Sequence, residues 1–96
     1  MINSKQRAKL RGMANSLETI LQVGKGGVNE ALIAQADEAL KARELIKGRV
    51  LENAPAFAKE AAIEIADKTN ADVVQVIGTR FVLFRRNHEN PKIDLK

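Results

Sequence analysis

Between residues 19 and 43 the hydrophobic period changes from that of a strand to that of a helix, with Gly24-Lys25-Gly26-Gly27 at the change. Thr19-Ile20-Leu21-Gln22-Val23 has strand character, and a helical pattern starts near Glu30 and runs to about Ala42. A strand that enters a helix through a glycine-rich loop returns over its own sheet. The next strand, Leu45 to Leu51, therefore completes a β-α-β unit whose crossover is right-handed. Asn29 is the expected N-cap, Val28 and Ile33 the expected hydrophobic staple, and Leu32, Ala36, Ala39 and Leu40 the buried stripe. Glu30 at the start and Lys41 and Arg43 at the end oppose the helix dipole.

The flanking segments extend this unit. A first helix runs from an N-cap at Ser4 to about Met13 or Ala14, with Leu10, Met13 and Ala14 on one side. Lys5 and Lys9 lie on one flank and Arg7 and Arg11 on the other. Gly48 interrupts the second strand, where glycine marks a weakness, a bulge or a close backbone approach. Asn53-Ala54-Pro55 opens a third helix, with proline in the first turn and Phe57, Ala58, Ala61, Ala62 and Ile65 on its packing side. Asn70-Ala71 ends it. Val73 to Ile77 and Phe81 to Arg85 form a hairpin across Gly78-Thr79-Arg80.

The order is therefore α-β-α-β-α-β-β: an α/β (α+β) domain with a four-stranded mixed sheet. If the sheet grows in one direction through both crossovers, helices two and three share a face. Alternation points Leu21, Val23, Ile46, Val50, Val74 and Val76 towards those helices, and Gln22, Lys47, Arg49 and Gln75 away from them. The 96 residues make one domain, 1–96, with 87–96 expected as a loose tail.

Charge narrows the partners. Five of the 16 basic residues (Lys5, Arg7, Lys9, Arg11 and Lys25) face one acid, Glu18, within residues 1–28, so the whole surplus of +4 sits there. The remainder carries 11 basic and 11 acidic residues. Gathered basic charge is the footprint of a polyanion partner, although a solvated helix face would look the same by charge alone.

Catalysis is poorly provided for. There is no cysteine, and the one histidine, His88, lies in the polar tail. Neither a Cys/His pair nor a histidine metal cluster can be assembled. Glu60 and Glu64, one helical turn apart, read as solvent face. No enzyme activity, cofactor or metal is expected. No apolar run approaches the roughly 20 residues that a membrane span needs. The basic N-terminus lacks the apolar middle of a signal peptide, so a cytoplasmic protein is the default.

The glycine loop has three readings. It lacks the Gly-Lys-Ser/Thr ending of a P-loop, and Asn29 stands where a dinucleotide fingerprint has its third glycine. A simple chain reversal remains open. The third reading is a phosphate clamp, since Gly24 and Gly27 have the Gly-x-x-Gly spacing with which KH-type domains hold a nucleic-acid backbone. With no Trp or Tyr and three Phe, stacking on sheet aromatics is largely unavailable. Phe57 and Phe81 are expected in the core, and Phe84 reads either way. Binding would rest on phosphate contacts and shape.

Four ordered pieces then resemble the CRM-domain family (chloroplast RNA splicing and ribosome maturation), in its stand-alone bacterial YhbY-like form. They are Leu10-Arg11-Gly12-Met13-Ala14, Gln22-Val23-Gly24-Lys25-Gly26-Gly27-Val28, Glu44-Leu45-Ile46-Lys47, and Val76-Ile77-Gly78 with Val82-Leu83-Phe84-Arg85. The resemblance implies a fold related to the C-terminal domain of translation initiation factor three. It also implies binding to ribosomal RNA in precursors of the large subunit, during its assembly. By position, Gly24, Lys25, Gly26 and Gly27 match the family's Gly-x-x-Gly loop, Lys47 a basic strand residue, and Arg85 the arginine closing the last strand. Gly48 departs from a usual β-branched residue, which would loosen strand two, and Phe84 from a usual tyrosine.

The resulting expectation is a monomeric RNA-binding protein with no small-molecule substrate. Its contacts are Gly24, Lys25, Gly26, Gly27, Lys5, Arg7, Lys9 and Arg11, with Lys47, Arg49, Arg80, Arg85 and Arg86 as extensions. The alternative is a protein-interaction module whose basic end docks on an acidic protein.

Overall fold

A computed structural model describes residues 2–95; Lys96, the last residue of the expected tail, lies outside them. Three helices and four strands follow one another as α1 (Ser4–Ala14), β1 (Thr19–Val23), α2 (Glu30–Arg43), β2 (Leu45–Val50), α3 (Ala58–Thr69), β3 (Asp72–Ile77) and β4 (Arg80–Phe84). The sheet order is β1-β2-β4-β3. β1 and β2 are parallel, and β4 is antiparallel to both β2 and β3. The sheet is therefore mixed, and the last strand in sequence occupies an interior position.

Two apolar clusters flank the sheet. On one side α2 (Leu32, Ala36, Leu40) and α3 (Ala61, Ala62, Ile65) pack on Leu21, Val23, Ile46, Val50, Phe81 and Leu83. On the other side Leu10 and Ala14 of α1 pack with Leu45, Val74, Val82 and Phe84. Helices two and three thus share a face, and α1 covers part of the opposite one.

Val74 is a correction. A register shift between Val73 and Gln75 breaks the strict alternation of β3. Val73 and Val76 pack against the helix-side cluster, while Val74 joins the α1 side. An extra residue in one strand of a pair flips the side chains on either side of it.

Gly48 proves to be a close approach. In register it lies between Leu21 of β1 and Phe81 of β4. A Cβ on Gly48 would stand 2.4 Å from Phe81 Cζ and 3.1 Å from Leu21 Cβ. The space that a β-branched side chain would occupy is filled from the neighbouring strand by the Phe81 ring, which is buried.

Helix starts also differ from expectation. Asn3, not Ser4, caps α1: its Oδ1 accepts from the Gln6 backbone N–H at 2.8 Å, and Gln6 Oε1 accepts from the Asn3 N–H at 3.0 Å. α3 starts at Ala58 rather than near Pro55, because Phe57 has extended backbone (φ −79°, ψ 163°). Phe57 is not core; it is 81% exposed.

Among the described residues the segment after β4 has neither helix nor strand, yet it is tied down. Glu44, at the C-cap of α2, has φ +64° and is fully buried. Its carboxylate accepts backbone N–H groups from Asn87 (2.7 Å), Lys92 (2.6 Å) and Ile93 (2.8 Å). Ile93 and Leu95 pack against the α1-side cluster, and Lys9 Nζ donates to the Asp94 carbonyl.

Gly12, in α1, is exposed, and a Cβ there would meet nothing within 4 Å. Gly12→Ala is therefore expected to raise the stability by about 0.5–1 kcal/mol, since alanine reduces the backbone freedom lost on folding. A urea titration followed by circular dichroism would show it as a higher midpoint at unchanged slope.

Candidate nucleic-acid interface

The loop between β1 and α2 divides into a structural half and an exposed half. The Gly27 N–H donates to the Gly24 carbonyl at 2.9 Å, closing a tight turn. Gly27 has φ +67°, and a Cβ there would stand 3.0 Å from Pro55 Cγ. Gly27 is thus required by the turn and by its packing on the Leu51–Phe57 connection. At the tip, Lys25 and Gly26 are both exposed. Asn29 follows, and its Oδ1 accepts from the Leu32 N–H at 2.9 Å to cap α2. A lysine beside a helix N-terminus adds mobile charge to a fixed positive dipole end, which suits an anion.

Strand alternation extends the positive surface from this loop. Gln22, two residues before Gly24, is paired with Arg49, and Arg49 with Arg80. All three point away from α2 and α3, as their neighbours Val23, Val50 and Phe81 belong to the helix-side cluster. Lys47 lies one step further along the same face, paired with Val82. Arg80 is exposed, and Lys47 and Arg49 are half-buried. The Arg49 Nε–H is buried and has no protein hydrogen-bond partner among the described residues.

α1 lies on this face too, over Leu45, Val82 and Phe84, displaced towards the end of the sheet remote from the loop. Lys5, Lys9 and Arg11 are exposed and Arg7 is half-buried.

Arg85 and Arg86 are engaged within the chain. Arg85 Nη1 pairs with Asp37 Oδ1 at 2.6 Å and donates to the Thr69 carbonyl at 2.9 Å, while its Nη2 donates to the Asp37 carbonyl at 3.1 Å. Arg86 Nη1 donates to the Ile93 carbonyl at 2.6 Å and to Glu44 Oε2 at 3.5 Å. Its guanidinium also stands 5.9 Å from the centre of the Phe84 ring.

Burial alone would raise the pKa of the Glu44 carboxyl. The N–H groups of Asn87, Lys92 and Ile93 and the charge of Arg86 outweigh it and leave that pKa below the ordinary value. The group is ionised and structural.

Among the described residues no cluster of three or more His, Asp or Glu side chains is arranged to hold a metal, and no helix is long and apolar enough to cross a membrane. His88 is exposed. The structural reasons for Glu44 and the exposure of Phe57 were both missed in the sequence. The Phe57-x-x-Glu60 spacing is a local signal for the second: Glu60 Oε1 accepts from the Phe57 N–H at 3.1 Å, as in the reciprocal half of a capping box.

Comparison with known proteins concerns the chain as a whole. The profile of the CRS1 / YhbY (CRM) domain matches residues 2–85. The chain is 43% identical over 95 residues to Probable RNA-binding protein YqeI of Bacillus subtilis, covering 99% of each chain. It is 35% identical over 89 residues to an RNA-binding protein of Haemophilus influenzae, covering 92% of this chain and 89% of that one. The solution structure of the hypothetical protein SAV1595 from Staphylococcus aureus, described as a candidate RNA-binding protein, superposes with a TM-score of 0.82. It is 43% identical, with all of both chains covered.

Proposed function

The chain belongs to the CRS1 / YhbY (CRM) domain family, and from that membership we propose that it binds RNA by the phosphate backbone, without catalysis. The carrying observation is the exposed Lys25-Gly26 tip beside the N-terminus of α2, at the end of the strand whose Gln22 is in register with Arg49 and, through it, Arg80. Four cations on α1 extend the field at the other end of that face. Arg85 and Arg86 act as structural groups in this scheme, holding α2, α3 and the C-terminal segment together.

The RNA we propose is ribosomal RNA in precursors of the large subunit, bound during assembly. The resemblance to stand-alone bacterial family members supports that target. Co-sedimentation with ribosomal precursors, lost after ribonuclease treatment, is the expected result. Co-sedimentation that survives ribonuclease would instead mean an acidic protein partner.

Lys25→Glu is expected to weaken RNA binding about tenfold at 0.1 M salt, with an unchanged circular dichroism spectrum. Adding Gly26→Asp deepens the loss, and asks only a small shift of the Asn29 side chain, 3.2 Å from the new Cβ. Lys25→Ala should lower the slope of log K against log salt by about 1, the signature of one lost phosphate contact. Unaltered affinity in Lys25→Glu would overturn the clamp.

A further inference from the structure

The Leu51–Phe57 connection carries a feature that the phosphate clamp leaves unexplained. Phe57 occupies the N-cap of α3, where Ser, Thr, Asp or Asn would satisfy a helix N–H and a phenyl ring cannot. Nor does the ring pack, being 81% exposed. An aromatic residue that neither caps nor packs stabilises nothing in the folded chain. Beside it lies a groove of about 400 Å³ with a predominantly apolar wall, including Val50, Leu51, Pro55 and Val76, and reaching Gly78 and Thr79 of the β3–β4 turn.

This groove adjoins the glycine loop. Gly27 abuts Pro55, two residues before Phe57, and Gly24 lies against Leu51. The Leu51 N–H donates to the Val23 carbonyl at 2.8 Å, which fixes the connection to the end of β1. The groove's charged groups are one carboxylate, Glu52, and one ammonium, Lys59. One carboxylate and one ammonium leave the groove no net positive charge for a phosphate, whereas a neutral base edge can donate to a carboxylate and accept from an ammonium. Phosphate at the loop and base in the groove are the two halves of one nucleotide.

We propose that Phe57 is a stacking platform for an unpaired nucleobase, so that the RNA taken at the glycine loop is single-stranded there. The inference rests on the RNA reading of the loop and adds a base contact to it. In a duplex the base faces are covered by their neighbours and unavailable to Phe57. Stacking on one aromatic side chain tolerates any base and is lost on truncation to alanine.

The test uses the full chain with labelled oligoadenylate, single-stranded or annealed to its complement. Phe57→Ala is expected to weaken single-strand binding about 5- to 100-fold while duplex affinity stays unchanged. Phe57→Trp should retain binding, and its indole emission should fall as oligoadenylate is added. Phe57→Ser should weaken binding in the same way and yet raise the melting temperature by about 4–8 °C, because serine supplies the missing cap. Single-strand affinity that survives Phe57→Ala but falls in Lys25→Glu would overturn the base platform and leave the clamp standing. Affinity untouched by either substitution would remove both. Equal losses for single strand and duplex would also overturn stacking.

Discussion

Glu44→Ala is expected to destabilise the protein by about 3–5 kcal/mol, the range for removing one partner from a buried charged network. The substitution would leave the N–H groups of Asn87, Lys92 and Ile93 without their acceptor, and Arg86 without its counter-charge. Each unsatisfied group costs about 1–3 kcal/mol where water cannot reach it, and part of that is recovered as the segment detaches. Glu44→Gln, which keeps the shape but places an amide N–H₂ against N–H donors, should cost roughly half as much. The left-handed backbone of Glu44 offers a control. Glycine relaxes φ +64° without supplying the carboxylate, so Glu44→Gly should remain destabilised despite its easier backbone. Hydrogen exchange would show the faster amides confined first to residues 87–93.

The same carboxylate makes stability depend on pH. Its pKa is lower folded than unfolded. The contribution is therefore complete above the ordinary carboxylate range and lost as pH falls through the folded value. Urea denaturation should find the gap between the wild-type protein and Glu44→Gln wide at neutral pH and narrowing below about pH 4.3. A gap independent of pH would mean that packing, not ionisation, holds the segment.

At Gly48 the expected effect is steric. Gly48→Ala should cost about 1–3 kcal/mol and Gly48→Val more, since the new Cβ meets the Phe81 ring at 2.4 and 2.6 Å. The ring is buried in the helix-side cluster. Phe81→Leu removes the obstructing atoms, so the double substitution Gly48→Val, Phe81→Leu should be more stable than the sum of the single losses predicts. A coupling of about 1–2 kcal/mol in that cycle is expected for side chains in direct contact. Additive losses would show that the glycine serves its backbone conformation and not the space above it.

Gly48 also shows how far the sequence could be read. Alternation in β1 and β2 identified Leu21, Val23, Ile46 and Val50 on the helix side, and Lys47 and Arg49 on the other. From Leu21 onward in β1 and throughout β2 the period is two, so local pattern and tertiary placement coincide. Val74 breaks the rule because a bulge is a property of the pair of strands, with no marker in β3 alone. Phe57 looked like core because hydrophobicity measures the tendency of a residue, not its position. The route of the Leu51–Phe57 connection to Gly27 puts Phe57 outside. Arg85 and Arg86 read as surface charge because their partners, Asp37, Thr69 and Ile93, are distant or unmarked in sequence. Of the candidate interface, the glycine loop was legible from its spacing. The row Gln22, Arg49 and Arg80 needed strand register to assemble.

The interior position of β4 governs how this chain can acquire its structure. The first three strands to be synthesised include one parallel pair, β1 and β2, while β3 has no partner until Arg80–Phe84 arrives between β2 and β3. Both apolar clusters include β4 side chains, Phe81 and Leu83 on one side and Val82 and Phe84 on the other. A nascent chain lacking β4 would therefore expose the facing edges of β2 and β3 together with unfinished surfaces on both sides of the sheet, and its folding would wait on a late, sequence-distant pairing. The basic helix α1 precedes β4 in the chain, so its apolar seat is completed late. Until then it emerges as an undocked cationic segment, free to meet polyanions before the domain that will orient it exists.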